Sequence, residues 1–506
     1  MAQCEKNILR TVGNLEKFST IPHNLGYYFS VANTARYRTS STLPPELLDS
    51  IIETAVAQVV LKHPALCCGI INEDTNDPSF IRLDSIDLSN RIRYEYHLPQ
   101  PAHSEDEALV EALEFQHGES WRDLDSQPPW KIIIITTVPT YTRESKSPQT
   151  RDVVFFDVIF AFHHALADGL SGVVFHRSML EALNNPNPIG TSLVENHILQ
   201  IPTSITLALP LEKAVIFKIS WIFFLKTLWE SVKPTWLSLS LFASPTKPWT
   251  GASCSGDDLI REYKTNVTLV EISPDVVSGI LAACKEEGAT VTGLLHGLII
   301  ASLAKRVPSA GTFVSATPYS MRHLTGMSNT DEMGVHVGSL KTRYPTTTIS
   351  DIRAASKDPS ETISRIWETA RSFRTDMLDE LAGLPNDNLM GMIPYISDLR
   401  KMFMGMLGKR RSTTYEVSNV GRVDGGGQGE SEGGKWWIER DVFSQSASVT
   451  GAAVYFNVAS VVGGPLMIAI TWMEAVVESD LVEGVRGDLE YSLKCVGEGK
   501  DVLLGG

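Results

Sequence analysis

The chain alternates between short apolar runs of strand character and longer stretches in which apolar residues return every three or four positions. Val153-Val154-Phe155-Phe156-Asp157-Val158-Ile159-Phe160 is rich in β-branched and aromatic residues and reads as a buried strand. Apolar residues then recur at helical spacing over 170–183, with Asp168 where an N-cap stands. An earlier stripe (Leu47, Leu48, Ile51, Ile52, Ala55, Val56, Val59, Val60) follows Pro44-Pro45. It predicts a helix that stops near His63-Pro64, because proline disfavours α geometry in the residue before it. Residues 67–71 read as a strand.

A second patterned region follows further on. Ser273-Pro274-Asp275 has the residues of a cap and first helical turn, and Gly288 is placed like a stop. Residues 292–303 are apolar on most sides and predict a buried helix, with His296 as a packed core histidine. Residues 312–316 read as a strand running into Thr317-Pro318-Tyr319-Ser320-Met321-Arg322, and later strands are expected over 413–419, 452–459 and 465–472. The glycine-rich stretch 424–434 leads into Lys435-Trp436-Trp437-Ile438, which is strand-like. A phosphate cradle opens onto a helix, so this stretch is expected to be a surface connection. Between the patterned regions, Pro234, Pro245, Pro248, Gly251 and Gly256 punctuate an irregular bridge. The division is therefore 1–195, a crossover at 196–258, and 259–506, with no internal repeat.

Composition narrows the class. At 506 residues the chain exceeds one ordinary core, and 43% hydrophobic with 20% charged residues is globular. A formal net charge of −15 argues against a nucleic-acid partner. Six cysteines without CxxC spacing suit a reducing compartment, and the first seven residues lack the apolar core of a secretory signal. A cytoplasmic monomer is expected. One segment, 213–229, is apolar but interrupted by Lys218 and Lys226, so it falls short of the ~20 apolar residues of a spanning helix. It either packs over a cleft or rests on an intracellular membrane with its lysines at the headgroups.

Candidate chemistry sits at the junction between the first strand and its helix: His163-His164-Ala165-Leu166-Ala167-Asp168-Gly169. Adjacent strand residues point to opposite faces, so the two imidazoles are not expected to share a metal ion. One should face a cavity and the other should pack behind it.

His163-His164-x-x-x-Asp168-Gly169 resembles the active-site signature of the chloramphenicol acetyltransferase-like superfamily of CoA-dependent acyltransferases and condensation domains. Further segments are similar to its fungal alcohol acetyltransferase branch. They are Arg10-Thr11-Val12-Gly13-Asn14-Leu15-Glu16, Leu61-Lys62-His63-Pro64-Ala65-Leu66, Pro248-Trp249-Thr250-Gly251, Cys284-Lys285 with Thr290-Val291-Thr292, and Ser418-Asn419-Val420-Gly421. The resemblance implies an α/β fold of two lobes, each a mixed sheet flanked by helices, with a tunnel between them. It implies His164 as general base, with His163 packed beside it and Gly169 keeping the turn open. Asp168 is implied to be a scaffold charge paired with Arg322. Ser418 and Asn419 are candidates for stabilising an oxyanion or contacting the acceptor; a simple turn at the strand end is the alternative.

The implied co-substrates are acetyl-CoA and a small alcohol or secondary-metabolite hydroxyl, with no permanently bound cofactor and no metal. A plant-type Asp-Phe-Gly-Trp-Gly motif is absent, so CoA-binding residues are not located. A carrier-protein-dependent condensation-like enzyme and an inactive binding homologue are the competing expectations.

Overall fold

The computed structural model describes residues 7–43, 45–97, 105–137, 153–185, 194–232, 246–252, 255–426, 436–500 and 502. Residues 1–6, Pro44, Pro234, Pro245 and the glycine-rich stretch from 427 to 435 lie outside them.

Two mixed sheets organise the molecule. The first has five strands in the order Trp436–Gln445, Val31–Leu43, Val153–Phe162, Trp130–Thr137 and Ile92–His97. Val153–Phe162 is central, paired antiparallel on both sides, and this explains its largely apolar character, interrupted by Asp157, which is buried against Arg36 Nη2 at 2.7 Å. The helices Pro45–Lys62 and Gly169–Asn184 cover one face, where Phe160 stacks on Phe175 with ring centroids 3.9 Å apart. The predicted helix over 170–183 thus begins at Gly169, and the side chain of Asp168 accepts from the Ser171 amide as its cap.

The second sheet has six strands in the order Asn266–Ile272, Leu466–Trp472, Val454–Val461, Tyr415–Val423, Phe313–Ser320 and Val337–Tyr344. Helix Val291–Arg306 lies against one face and is buried along nearly its whole length. His296 is a core histidine there, held by the Tyr415 hydroxyl and Thr317 Oγ1 at 2.9 Å each.

The two sheets meet through a small apolar cluster. Ala32, Ile133, Ile159 and Val442 from the first sheet contact Val267, Met467 and Ala469 from the second. One strand also crosses between the chain halves. Trp436–Gln445, far along the chain, pairs with Val31–Leu43 and forms the edge of the first sheet.

Among the described residues the bridge carries the short helices Leu211–Ala214 and Trp221–Val232, and a third, Gly256–Arg261, begins at its end. The second does not pack into a cleft: Trp221 and Ile222 are 79% and 82% exposed, and Leu225, Leu228 and Trp229 are also exposed. Its N-terminus is tied down by Asp387, which accepts from the Ser220 amide and hydroxyl at 2.6 and 2.8 Å. Phe224 packs edge-on against Tyr395. Among the described residues, no single helix is long and apolar enough to cross a membrane.

Candidate active site

The central strand of the first sheet ends at Phe162, and the chain turns before the helix starts at Gly169. His163 and His164 occupy that turn and face different surroundings. His164 is half-buried, and its Nδ1 lies 2.9 Å from the carbonyl oxygen of Ala167. A carbonyl only accepts, so Nδ1 carries the proton and Nε2 presents a lone pair. Nε2 has no protein partner among the described residues. Burial lowers the pKa of His164, which favours the neutral, proton-accepting form. The ring of Tyr28 lies beside it at 6.2 Å between centroids.

His163 is fully buried and belongs to a cluster that no sequence pattern announced. Its Nδ1 accepts from the Ala165 amide at 3.0 Å, which places the proton on Nε2, 3.0 Å from Glu73 Oε1. His23, its ring edge-on to that of His163 at 4.7 Å, accepts from the Trp121 amide at Nε2 and donates through Nδ1 to the same carboxylate at 2.9 Å. His23, Glu73 and His163 bring their ligand-type atoms within 4.8 Å of one another. Two imidazole protons and one carboxylate satisfy each other without an ion. Those hydrogen bonds outweigh the burial of Glu73 and bring its pKa down to about 2, while burial holds His163 near 4. Glu73 follows Asn72, whose φ of 57° is a left-handed turn position that asparagine tolerates.

Asp168 and Arg322 meet in the interior. Both are fully buried, with Arg322 Nη2 2.8 Å from Asp168 Oδ1. The same carboxylate oxygen accepts from the Ser171 amide and hydroxyl at 2.9 and 2.8 Å, and the other oxygen accepts from the His336 amide at 3.3 Å. Arg322 Nη1 donates to the carbonyls of Ser328 and Glu332 at 2.7 and 2.8 Å. The pair thus ties the helix following the histidines to a loop of the other lobe.

Ser418-Asn419-Val420-Gly421 forms a bulge. The register of Tyr415–Val423 against Val454–Val461 shifts between Asn419 and Arg422, and Gly421 takes a φ of 85° that suits glycine. Asn419 is committed to that bulge. Its Oδ1 accepts from the Gly421 amide at 2.8 Å, and its Nδ2 donates to Thr292 Oγ1 at 3.2 Å. Ser418 is half-buried. Val420 is aimed at Gly169, where a Cβ would come within 2.8 Å of Val420 Cγ1 and 3.1 Å of Phe443 Cζ. A side chain at Gly169 would therefore collide with Val420 and Phe443, in addition to the place of Gly169 at the turn.

A two-lobed body of mixed sheets flanked by helices is the fold of a class that includes acyltransferases and condensation domains. The structure superposes on TRI3 trichothecene 15-O-acetyltransferase from Fusarium sporotrichioides with a TM-score of 0.71 at 13% identity, covering 96% of this chain and 95% of that one. The first condensation domain of the CDA synthetase matches with a TM-score of 0.58 at 12% identity, covering 98% of each chain. The alcohol acetyltransferase family model matches residues 103–483. A probable alcohol acetyltransferase, FCK4 of Fusarium pseudograminearum, is 30% identical over 99% of this chain and 97% of its own length. A second, crmB of Aspergillus fumigatus, is 27% identical over 94% of this chain and 97% of its own. The chain belongs to the alcohol acetyltransferase family and is an acyltransferase. The family implies an alcohol and an acyl-CoA as its substrates.

Proposed function

We propose that the protein transfers an acetyl group from acetyl-CoA to an alcohol by direct attack in a ternary complex, with His164 as the general base. The observation that carries this reading is the tautomer of His164: Nδ1 is pinned to the Ala167 carbonyl, and Nε2 is left to receive a proton. In the proposed step the acceptor hydroxyl loses its proton to Nε2 as its oxygen bonds to the thioester carbonyl carbon. The C–S bond then breaks, and the imidazolium returns the proton to the CoA thiolate. Ser418 is assigned as donor to the tetrahedral oxyanion, because the amide of Asn419 is engaged in the bulge.

The test is alcohol-dependent release of free thiol from acetyl-CoA. His164→Ala should lower the rate by about 10²–10⁴-fold. Alcohol-dependent release undiminished in that variant overturns the assignment. Release only from an acyl-carrier thioester replaces the donor, and release from neither donor replaces catalysis with a binding role. The exposed apolar face of Trp221–Val232, flanked by Lys218 and Lys226, further supports peripheral contact with a membrane surface.

A further inference from the structure

Three side chains, His164, Tyr28 and Glu416, each keep partial exposure. Glu416 comes from the second lobe. Its neighbours Tyr415 and Val417 turn into the helix-covered core, so strand alternation turns Glu416, like Ser418, to the opposite face.

A continuous set of contacts joins Glu416 to the catalytic histidine. Tyr28 lies against His164, and its hydroxyl donates to Gln445 Oε1 at 3.3 Å. Gln445 Nε2 donates to Glu416 Oε1 at 3.1 Å and to Asn457 Oδ1 at 2.7 Å. Asn457 is itself held by the Ala469 carbonyl at 3.1 Å, which fixes the orientation of the Gln445 amide. Both amide hydrogens of Gln445 are used, and Glu416 Oε2 is left with no hydrogen-bond partner among the described residues.

We propose that Glu416 forms a recognition subsite for a second hydroxyl group on the acceptor, which makes the preferred acceptor a polyhydroxylated molecule rather than a simple alkanol. The inference rests on His164 being the base that addresses the reacting hydroxyl. A partly exposed carboxyl with one oxygen unpaired suits a hydrogen-bond donor. The acetyl group has none to offer. An alkyl chain would leave Oε2 buried and unpaired, the arrangement by which a polar subsite rejects substrates that lack the matching group. Burial raises the Glu416 pKa to about 7, against the lowering effects of Gln445 and Lys341, so near neutrality the carboxyl both donates and accepts.

The experiment compares α,ω-diols of increasing length, from butane to decane, with the 1-alkanols of equal carbon count, each with acetyl-CoA and the full-length enzyme. One diol length should exceed its alkanol in kcat/KM by about tenfold, beyond the statistical doubling. In Glu416→Leu that ratio should fall to about one, and Glu416→Gln should restore part of it; KM for acetyl-CoA and the melting temperature report intact folding. A wild-type enzyme without diol preference, transfer to no member of the series, or a preference that survives in a folded Glu416→Leu protein overturns the subsite. His164→Ala in the same assay keeps the two readings apart. Retained transfer in that variant overturns the base assignment, whatever the diol ratio.

Discussion

Asp168 and Arg322 show how much a single residue of the motif carries without touching substrate. Their carboxylate and guanidinium are both fully excluded from water and lean on each other and on Ser171. Removing one partner leaves the other charge buried alone. Asp168→Ala should therefore cost about 3–5 kcal/mol of folding stability as well as activity, read by denaturant melts of the purified variant; unchanged stability would contradict the scaffold role. Arg322 was legible through the family resemblance, which pairs the motif's aspartate with an arginine. Glu73 was not, since one acid after a short strand has no pattern, and only folding brings it between His23 and His163. Tyr28, Gln445 and Glu416 were hidden for the same reason: each is ordinary in its own segment, and only folding links them by hydrogen bonds.

At the scale of elements, those with strong local signals matched their sequence pattern closely. Val153–Phe162 reads as a buried strand because it is covered on both faces, and Gly169–Asn184 is announced by its capping aspartate. The strand pairing of Trp436–Gln445 with Val31–Leu43 has no local signal, because register between segments so far apart is set by tertiary packing. Helix Trp221–Val232 shows the other limit of pattern reading. Its apolar sequence is compatible with a cleft or a bilayer, and the fold leaves its apolar side uncovered. Vesicles of mixed anionic and neutral lipid should float the wild-type protein. A Trp221→Ser/Ile222→Ser/Leu225→Ser variant should lose most of that binding while keeping its melting temperature. Equal flotation of the two would remove the membrane contact.

The whole molecule is built around buried neutral imidazoles. Burial holds His63, His163 and His176 near a pKa of about 4, and His117 and His296 near about 3, against an ordinary value of 6.5. Each takes up its proton more readily unfolded than folded, so the stability they contribute is complete above about pH 6.5 and is lost as pH falls toward 4. Glu73, depressed to about 2, adds a loss that begins below its unfolded value near 4.5. Thermal melts should show a steep fall between pH 6 and 4, where the five histidines outweigh the buried acids Glu416 and Asp441, which burial raises to about 7 and 8; a flat profile across that window would contradict the assignment of neutral histidines. The crossing strand has a consequence for biosynthesis. Val31–Leu43 leaves the ribosome long before its edge partner exists. About 400 residues must follow, so at typical elongation rates its flank waits roughly 20–80 s. During that interval the nascent first lobe offers an unpaired strand edge beside its apolar core, and a chain interrupted before residue 436 never closes it.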